Sequence, residues 1–430
     1  MKNKTLNLIF TTLFLFLLFP HHLVGEGYSL AECRELALKN NVAVKNADLE
    51  VAASEQSKRA AFTNYFPTVS ATGMLFKNSE KLVDLGVVSL IDKVNFGGIV
   101  AMQPLFAGGR ILTGNRLAGV GKEVSEKRRV LSRNEVLLKV EEQYWGVVAL
   151  DEKIATADLY GKMLDDLVKQ AEDAYRLGVI AKNDLLKVTV QRQEVQLQQL
   201  QLANGRQIAL MALCQFLGIE HDPQLVLTDT LKEPLPPESV YLEAEKALPL
   251  RAESSLLDLN VRAEKLRTRM KLGEYLPQLG LGAAGYYMKT MPDQGKYQGA
   301  LFLSLSVPIS GWWGGSSVLQ ERKYRERMAE NNRCDNSELM LLEIRKGWYE
   351  LTESYREVDL AVKLASQAEE NLRVNDDSYR QGLSLLSDLL DAQAMFQQSR
   401  SRLADARKGN RLKLIRYLHA TGRYAEAERL

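Results

Sequence analysis

The sequence has few of the residues that active sites and disulfide-rich domains require. It contains 3 cysteines and 4 histidines among 430 residues. Cys33, Cys214 and Cys334 are widely spaced and odd in number, which is typical of neither a disulfide framework nor a metal cluster. No G-x-S-x-G motif, metal-ligand spacing or phosphate-binding loop is present in the sequence. We therefore predict that the chain is not an enzyme and carries no cofactor and no metal.

The sequence also lacks a net charge and, after its first residues, a long hydrophobic run. Its formal charge is +2, and Lys2 and Lys4 near the N-terminus account for this excess because 2 − 2 = 0. Without a basic field we expect no nucleic-acid partner. No stretch beyond residue 27 approaches the roughly 18 apolar residues of a membrane-spanning helix. We therefore predict no such helix in the mature chain.

The first 27 residues have the pattern of a secretory signal peptide. Two lysines precede the apolar run Leu6–Phe19, and small residues follow it, so we predict cleavage between Gly25 and Tyr28. An uncleaved anchor helix is the alternative, although the run is shorter than the ~20 residues that a span needs. Cys33 is a poor lipid acceptor because Glu32 precedes it. An exported chain without an anchor belongs in the periplasm, outside the cell, or in an outer-membrane barrel.

An internal repeat dominates the rest of the chain. Tyr175–Gly178 is followed by Asp184, and Tyr379–Gly382 is followed by Asp388. The offset is 379 − 175 = 204 residues, far longer than the 20–50 of solenoid repeats. We therefore predict two structural repeats, 28–222 and 239–430, which a proline-rich linker joins at 223–238.

Each repeat has the order helix, strand, loop, strand, long helix, helix. Alternating polar and apolar residues predict four strands, at about 67–76, 97–106, 277–288 and 297–309. Each strand has about the length that a tilted barrel strand needs to cross a bilayer. Four strands cannot close a barrel, since about eight is the practical minimum. Either they form an ordinary small sheet, or several chains pool their strands.

The helical segments are long and have more than one apolar side. Gly108 to about Tyr175 contains no proline and would span roughly 100 Å as one helix. Two rows with heptad spacing follow it: Leu186, Val190, Leu197 and Leu200 in one row, and Val188, Val195 and Leu202 in the other. Two rows indicate contacts on two sides, as in a closed ring of helices. An ordinary two-sided bundle helix has the same spacing.

With these features the chain resembles the TolC-type outer-membrane efflux proteins, from Tyr28 to about Gly422. The resemblance lies in the duplicated order of elements and in the paired Tyr-x-x-Gly…Asp segments. It also lies in the strand entries Tyr65–Pro67 and Tyr275–Pro277 and in the segment Pro104–Gly109. No one of these motifs is decisive alone, but their order and the 204-residue offset make the combination specific.

The resemblance implies an α+β membrane protein that assembles as a homotrimer. Each chain would give four strands to a shared 12-stranded β-barrel, continuous with a long α-helical coiled-coil tunnel across the periplasm of a Gram-negative bacterium. One face of the last strand would then contact outer-membrane lipid, through Leu301, Leu303, Leu305 and Val307. We expect aromatic residues at strand–helix junctions to mark the membrane interface, namely Tyr65, Tyr275, Trp312 and Trp313.

The implied function is that of an exit duct. It would passively conduct substrates from an inner-membrane pump of the RND, ABC or MFS type and a periplasmic adaptor to the exterior, in tripartite efflux or type I secretion. The alternative is a soluble periplasmic coiled-coil scaffold or adaptor without a pore. Such a scaffold would have no reason to repeat an outward apolar strand face.

The resemblance also assigns a gate. Its constricting acids match Asp388 and Asp391, which are three residues apart and so share a helix face. Threefold symmetry would stack them as two rings of carboxylates, which favour cations. Two solvated surface acids are the alternative. A latch would involve Asn183, Asp184 and Tyr379, with Asp184 accepting a hydrogen bond from the Tyr379 hydroxyl.

The chain departs from the family pattern at one latch position. The family's gate arginine corresponds to Ser384 here, so that salt bridge cannot form, and Arg380 is a possible substitute. The two helix turns would be the tips where an adaptor docks, through Gly178, Val179, Gly382 and Leu383. A glycine that simply ends a helix would have the same sequence pattern.

Overall fold

The computed structural model of the chain describes residues 27–77, 93–290 and 295–429. The predicted signal peptide, except its last residue, lies outside these ranges. The helices are α1 Leu30–Asn40, α2 Val42–Thr63, α3 Arg110–Arg176, α4 Lys182–Leu217, α5 Ala244–Ala247, α6 Ala252–Glu274, α7 Trp312–Arg380, α8 Leu386–Ala420 and α9 Tyr424–Arg429. The strands are β1 Thr68–Lys77, β2 Lys93–Ala107, β3 Gln278–Thr290 and β4 Lys296–Ser306. The order of elements predicted from the sequence is thus present.

The chain folds into two compact units that cut across the two sequence repeats. The first contains the described parts of Met1–Lys39, Lys139–Pro234 and Arg356–Leu412. The second contains the described parts of Asn40–Leu138, Leu235–Tyr355 and Lys413–Leu430, including all four strands. Each unit therefore takes segments from both repeats. No described helix is long and apolar enough to cross a membrane.

The four strands form one antiparallel sheet in the order β1-β2-β3-β4. The second strand is longer than predicted, and a register shift between Pro104 and Phe106 interrupts its pairing with β3. The last strand is shorter than predicted. It ends at Ser306 because Pro308, with no N–H to donate, cannot continue the ladder. Val307, which was expected in this strand, therefore lies outside it.

The strand register places large apolar side chains on one face of the sheet. Leu301 lies opposite Ala283, and Leu303 lies opposite Leu281. Alternation along each strand then assigns this face, which we call the apolar face, its exposed members: Val69, Leu75, Ile99, Leu281, Leu301, Leu303 and Leu305. On the opposite face, the ring of Phe302 lies over Gly282, where a Cβ would come within 2.3 Å of the ring.

The first helix begins with a capping box. The Glu32 carboxylate accepts the Ser29 backbone N–H at 2.8 Å, and Ser29 Oγ accepts the Glu32 N–H at 3.3 Å. The helical composition of the sequence continues to about Phe62, but the helix is broken at Asn41. There the Asn41 side chain accepts the Ala43 N–H at 2.9 Å and starts a second helix.

The 204-residue offset recurs in the backbone geometry of the helix ends. Gly178 and Gly382 have φ values of 75° and 73°, and Gly218 and Gly422 have 68° and 73°. Each glycine N–H bonds to the carbonyl three residues back, and the next N–H bonds to the carbonyl five residues back. This is the pattern of a helix-ending turn that requires a left-handed residue. The two repeats thus use glycine for the same physical reason at both pairs of positions.

The predicted linker is an ordered part of the first unit up to Pro234. Tyr28 donates its N–H to Val226 at 2.9 Å and accepts the Thr228 N–H at 3.2 Å. The Asp229 carboxylate accepts the Leu30 N–H at 2.8 Å and therefore caps α1. The segment thus holds the start of the first helix.

Two tryptophans mark the start of α7. Trp313 is 86% exposed, which excludes simple core packing for this side chain. Trp312 is half exposed and donates its indole N–H to the Tyr275 carbonyl at 2.9 Å. An apolar ring with one satisfied polar end is the pattern of a membrane-interface aromatic.

Candidate functional site

The two candidate gate acids lie on the first turns of α8. Both Asp388 and Asp391 are exposed. The Asp388 carboxylate accepts the Leu385 N–H at 3.2 Å, so it also caps the helix. The residues between and beyond them, Leu389 and Ala392, are buried. The two acids therefore share the face of the helix that points away from its packed side.

The packed side of α8 belongs to a hydrophobic cluster within the first unit. Four helices contribute to this cluster: Tyr160, Leu164, Leu167 and Ala171 from α3, Val188 and Val195 from α4, Leu372 from α7, and Leu386, Leu389, Ala392 and Phe396 from α8. Burial of these side chains fixes the rotation of α8 about its own axis. It therefore fixes the direction in which the two acids point.

The three candidate latch residues are near one another but are not joined by the expected bond. In the described chain no hydrogen bond links Asp184 to Tyr379. The Asp184 carboxylate lies 3.4 Å from the Lys187 ammonium, one turn along α4. Tyr379 packs against the hydrophobic cluster, and its pKa is raised by burial and by the negative charge of Asp184. Asn183 is exposed.

The possible substitute for the missing gate arginine does not reach the latch. The Arg380 guanidinium lies 2.9 Å from the Asp376 carboxylate on its own helix. This i,i+4 pair lies along the α7 surface. Ser384 Oγ is buried and has no hydrogen-bond partner within the described residues. Within the subunit Arg380 is thus engaged on its own helix, and its role as a substitute for the gate arginine stays a prediction.

The two turns are strongly exposed and apolar. Leu177 and Val179 flank Gly178 and are 78% and 74% exposed. Leu383, which follows Gly382, is 77% exposed. A helix-ending turn needs the glycine for its φ, but it needs no exposed aliphatic side chains. The excess of apolar surface is typical of a protein-contact site.

The two heptad rows of α4 have opposite environments. Val188 and Val195 are 0% and 2% exposed, within the hydrophobic cluster. The other row stays exposed in the single chain, at Leu186, Val190, Leu197 and Leu200. One side of the helix is therefore satisfied within the subunit, and the second apolar side has no cover among the described residues.

A buried polar centre in the first unit was not predicted from the sequence. Glu141 is 2% exposed, forms an ion pair with the guanidinium of Arg34, and accepts the Trp145 indole N–H at 2.7 Å. The Arg411 guanidinium lies over the Trp145 ring at 5.4 Å, with its Nε 3.9 Å from Glu141. Burial lowers the pKa of Arg411, and the Glu141 charge opposes this effect. The centre joins α1, α3 and α8.

The described residues contain no candidate metal site, and Cys33 is not a reactive thiol. They contain no group of three or more His, Cys, Asp or Glu side chains that could hold a metal ion. Cys33 is buried in α1, and burial raises the pKa of its thiol to about 12. The thiol is therefore protonated and inaccessible in the folded chain.

The sequence matches the model of one protein family. The family model described as "Outer membrane efflux protein" matches residues 33–219 and 259–422. A comparison with curated protein sequences gave no significant match.

Solved structures show the same fold at low sequence identity. The outer-membrane channel OprN matches with a TM-score of 0.80 and 15% identity, over 91% of this chain and 89% of that one. The CmeC outer membrane channel of Campylobacter jejuni matches with a TM-score of 0.79 and 15% identity, over 91% and 85%. The outer membrane protein VceC of Vibrio cholerae matches with a TM-score of 0.78 and 16% identity, over 91% of this chain and 96% of that one. The expected fold class is confirmed.

Proposed function

The chain belongs to the outer membrane efflux protein family, and we propose that three copies of it form an exit duct of an efflux system in the outer membrane. The open edges of the β-sheet are the observation that supports assembly from several subunits. The sheet has only four strands in the order β1-β2-β3-β4, so β1 and β4 are unpaired edges within the described chain. Hydrocarbon does not tolerate open edges, and pooling the strands of several subunits closes them.

The exposed apolar surfaces fit this assembly. The apolar face of the sheet supplies the outward surface that lipid requires, with Leu301, Leu303 and Leu305 all at least 64% exposed. The exposed heptad row of α4 supplies a second helix-packing surface for a neighbouring subunit. A soluble scaffold would leave both surfaces in water, at a cost of roughly 25 cal/mol per Å² of apolar area.

The gate and the docking tips follow from the same arrangement. Asp388 and Asp391 would form two stacked rings around the threefold axis and favour cations. The exposed tips around Gly178 and Gly382 would contact the helices of a periplasmic adaptor, through Val179 and Leu383. The adaptor in turn connects the duct to an inner-membrane pump of the RND, ABC or MFS type, in efflux or in type I secretion.

Charge on the apolar face tests whether this face meets lipid. Leu303→Arg should cost about 2–4 kcal/mol per subunit if the side chain faces the bilayer. We expect the amount of trimer in outer-membrane fractions to fall at least about tenfold, measured by fractionation and native gels. Ser304→Arg, one position along on the opposite face, is the matched control and should still insert.

The control variant also has a functional readout. An arginine at position 304 inside the barrel should change the single-channel conductance in planar bilayers without changing the yield of trimer. If both variants are recovered from the soluble periplasm, as is the unchanged protein, the scaffold alternative is correct. If Leu303→Arg inserts as well as Ser304→Arg, the assignment of the lipid face is wrong.

Coupling between the latch residues can be measured by leakage. We infer that in the closed trimer the Tyr379 hydroxyl donates to Asp184, because Tyr379 and Leu185, the neighbour of Asp184, pack against the same hydrophobic cluster. Asp184→Ala and Tyr379→Phe should then each increase basal conductance. The double variant should leak no more than the worse single variant, since both remove one bond. Additive leakage in the double variant argues against a shared bond.

A further inference from the structure

The helix face that carries the candidate gate acids continues along α8 to an arginine. Met395 and Arg402 follow Asp388 by one and two heptads, since 395 − 388 = 7 and 402 − 388 = 14. Residues at the same heptad position stay on one side of a coiled-coil helix. All three side chains are exposed. Each is followed by a buried residue of the packed side: Leu389, Phe396 and Leu403. Arg402 therefore points to the same side as Asp388.

The charge of Arg402 is not neutralised within the subunit. Arg402 forms no ion pair and no hydrogen bond with any other described residue. The next acid along α8 is Asp405, and its carboxylate already lies 2.7 Å from the Lys153 ammonium and 3.6 Å from the Lys408 ammonium. These three cations and one anion leave a net charge of 3 − 1 = +2. This part of the face is thus positive, whereas the part around Asp388 is negative.

The first repeat has no charge at the position that corresponds to Arg402. The offset matches Arg402 to Gln198, since 402 − 198 = 204. Gln198 accepts the side-chain N–H of Gln397 at 3.0 Å and is therefore held within the subunit. The positive charge thus belongs to the second repeat alone. Glutamine is a side chain that this fold already accommodates at the matching position of α4.

We propose that Arg402 forms a ring of three positive charges in the lumen of the trimer, farther along α8 than the two acid rings. The inference rests on the exit duct proposed above, in which Asp388 and Asp391 face the threefold axis. At about 1.5 Å per residue, the arginine ring lies about 21 Å from the Asp388 ring. The Debye length is about 8 Å at physiological ionic strength. The rings therefore do not cancel each other and act as two filters in series.

Two rings of opposite sign favour one class of cargo. A small cation is attracted by the acids and repelled by the arginines, and the reverse holds for a small anion. A flexible molecule that carries a positive and a negative group can place each group at the ring of opposite charge. Roughly six residues of extended chain bridge the distance of about 21 Å. The geometry thus fits extended amphoteric molecules, such as peptides whose opposite charges lie far apart.

Ion selectivity of the reconstituted trimer tests the arginine ring. Arg402→Gln should raise the ratio of cation to anion permeability about threefold, measured from reversal potentials in a salt gradient. Arg400→Gln is the matched control. The Arg400 guanidinium lies 3.8 Å from the Glu369 carboxylate and 5.5 Å from the centroid of the Phe396 ring, so it is engaged within the subunit. The reversal potential of this control should equal that of the unchanged protein.

Block of the current by a peptide tests the cargo class. The probe is an unstructured peptide with lysines at one end, glutamates at the other and about six neutral residues between them. A peptide of the same composition, with the charges in alternating order, is the reference. The first peptide should block the unchanged duct at a concentration on the order of tenfold lower than the second. Arg402→Gln should remove most of this difference, and Arg400→Gln should keep it.

The outcomes separate this inference from the proposed function. Asp388→Asn/Asp391→Asn is measured alongside, and an unchanged reversal potential in that variant counts against the gate. If that variant shifts and Arg402→Gln does not, the arginine ring is wrong. Loss of trimer in Arg402→Gln without a change in reversal potential would also overturn the ring, because Arg402 would then contact a neighbouring subunit. Equal block by the two peptides would overturn the cargo class.

Discussion

Replacing Asp388 and Asp391 together by asparagine should remove most of the cation preference of the reconstituted duct. In the proposed trimer the two acids supply six carboxylates around one axis. Like charges about 6 Å apart repel by roughly 3 kcal/mol at an effective dielectric near 20, and a passing cation relieves this repulsion. We expect the ratio of cation to anion permeability to fall on the order of tenfold, measured from reversal potentials in a salt gradient.

Asparagine isolates the charge from the helix cap. The Asp388 carboxylate accepts the Leu385 N–H, and an asparagine oxygen can accept the same bond. The start of α8 should therefore keep its position in the variant.

A surface acid beside the Gly178 turn of the first repeat provides the control. Asp173 is exposed near the end of α3 and forms an i,i+3 ion pair with Arg176. Asp173→Asn removes one charge per subunit without touching the proposed rings, and the reversal potential should stay unchanged. An unchanged reversal potential in the Asp388/Asp391 variant would make the two acids ordinary solvated side chains. An equal shift in the control would point to a general surface charge.

Local sequence signals predicted most elements of the fold. The strand entries, the alternation in β1 and β3, and the turn glycines Gly178 and Gly382 are each set by neighbouring residues. The break at Asn41 was not predicted because helix-forming residues continue on both sides of it. Its signal was present, since asparagine is a strong N-cap, but no glycine or proline accompanies it.

The sequence predicted which helix face carries the candidate gate acids, but it did not predict the hydrogen bonds of the latch residues. The resemblance assigned the gate to Asp388 and Asp391, and their spacing of three residues put them on one helix face. The latch bond depends on which side-chain rotamer Asp184 adopts. Lys187, one turn from Asp184, competes with Tyr379 for the carboxylate. A sequence pattern does not resolve such a competition, because both partners are within reach.

Glu141 had the weakest sequence signal and has the largest expected effect on stability. Its partners Arg34 and Arg411 lie 107 and 270 residues away along the chain, since 141 − 34 = 107 and 411 − 141 = 270. No periodicity connects positions so distant. Only the i,i+4 spacing of Glu141 and Trp145 lies within one helix. Long-range polar contacts of this kind become visible only when the helices are packed.

Glu141→Gln should destabilise the first unit by about 3–5 kcal/mol. Glutamine keeps the shape and an acceptor for Trp145, but it removes the negative charge that pairs with Arg34 and that opposes the desolvation of Arg411. The Asp229 carboxylate, which accepts the Leu30 N–H and the Tyr144 hydroxyl, is then the remaining negative charge that acts on Arg411. Amide exchange in peptides covering 30–37 and 137–148 should accelerate roughly 100-fold or more, since every 1.4 kcal/mol is about a factor of ten.

The adjacent residue is a matched control. Glu142 is partly exposed and lies 3.2 Å from Lys139 in a surface i,i+3 pair, so Glu142→Gln should change exchange by less than about threefold. Replacing the triad by Arg34→Met, Glu141→Leu and Arg411→Met together should recover much of the loss, because no buried charge remains. Equal effects of the two glutamine variants would show that Glu141 contributes no more than a surface acid. The destabilisation should then be sought in the packing of α1 alone.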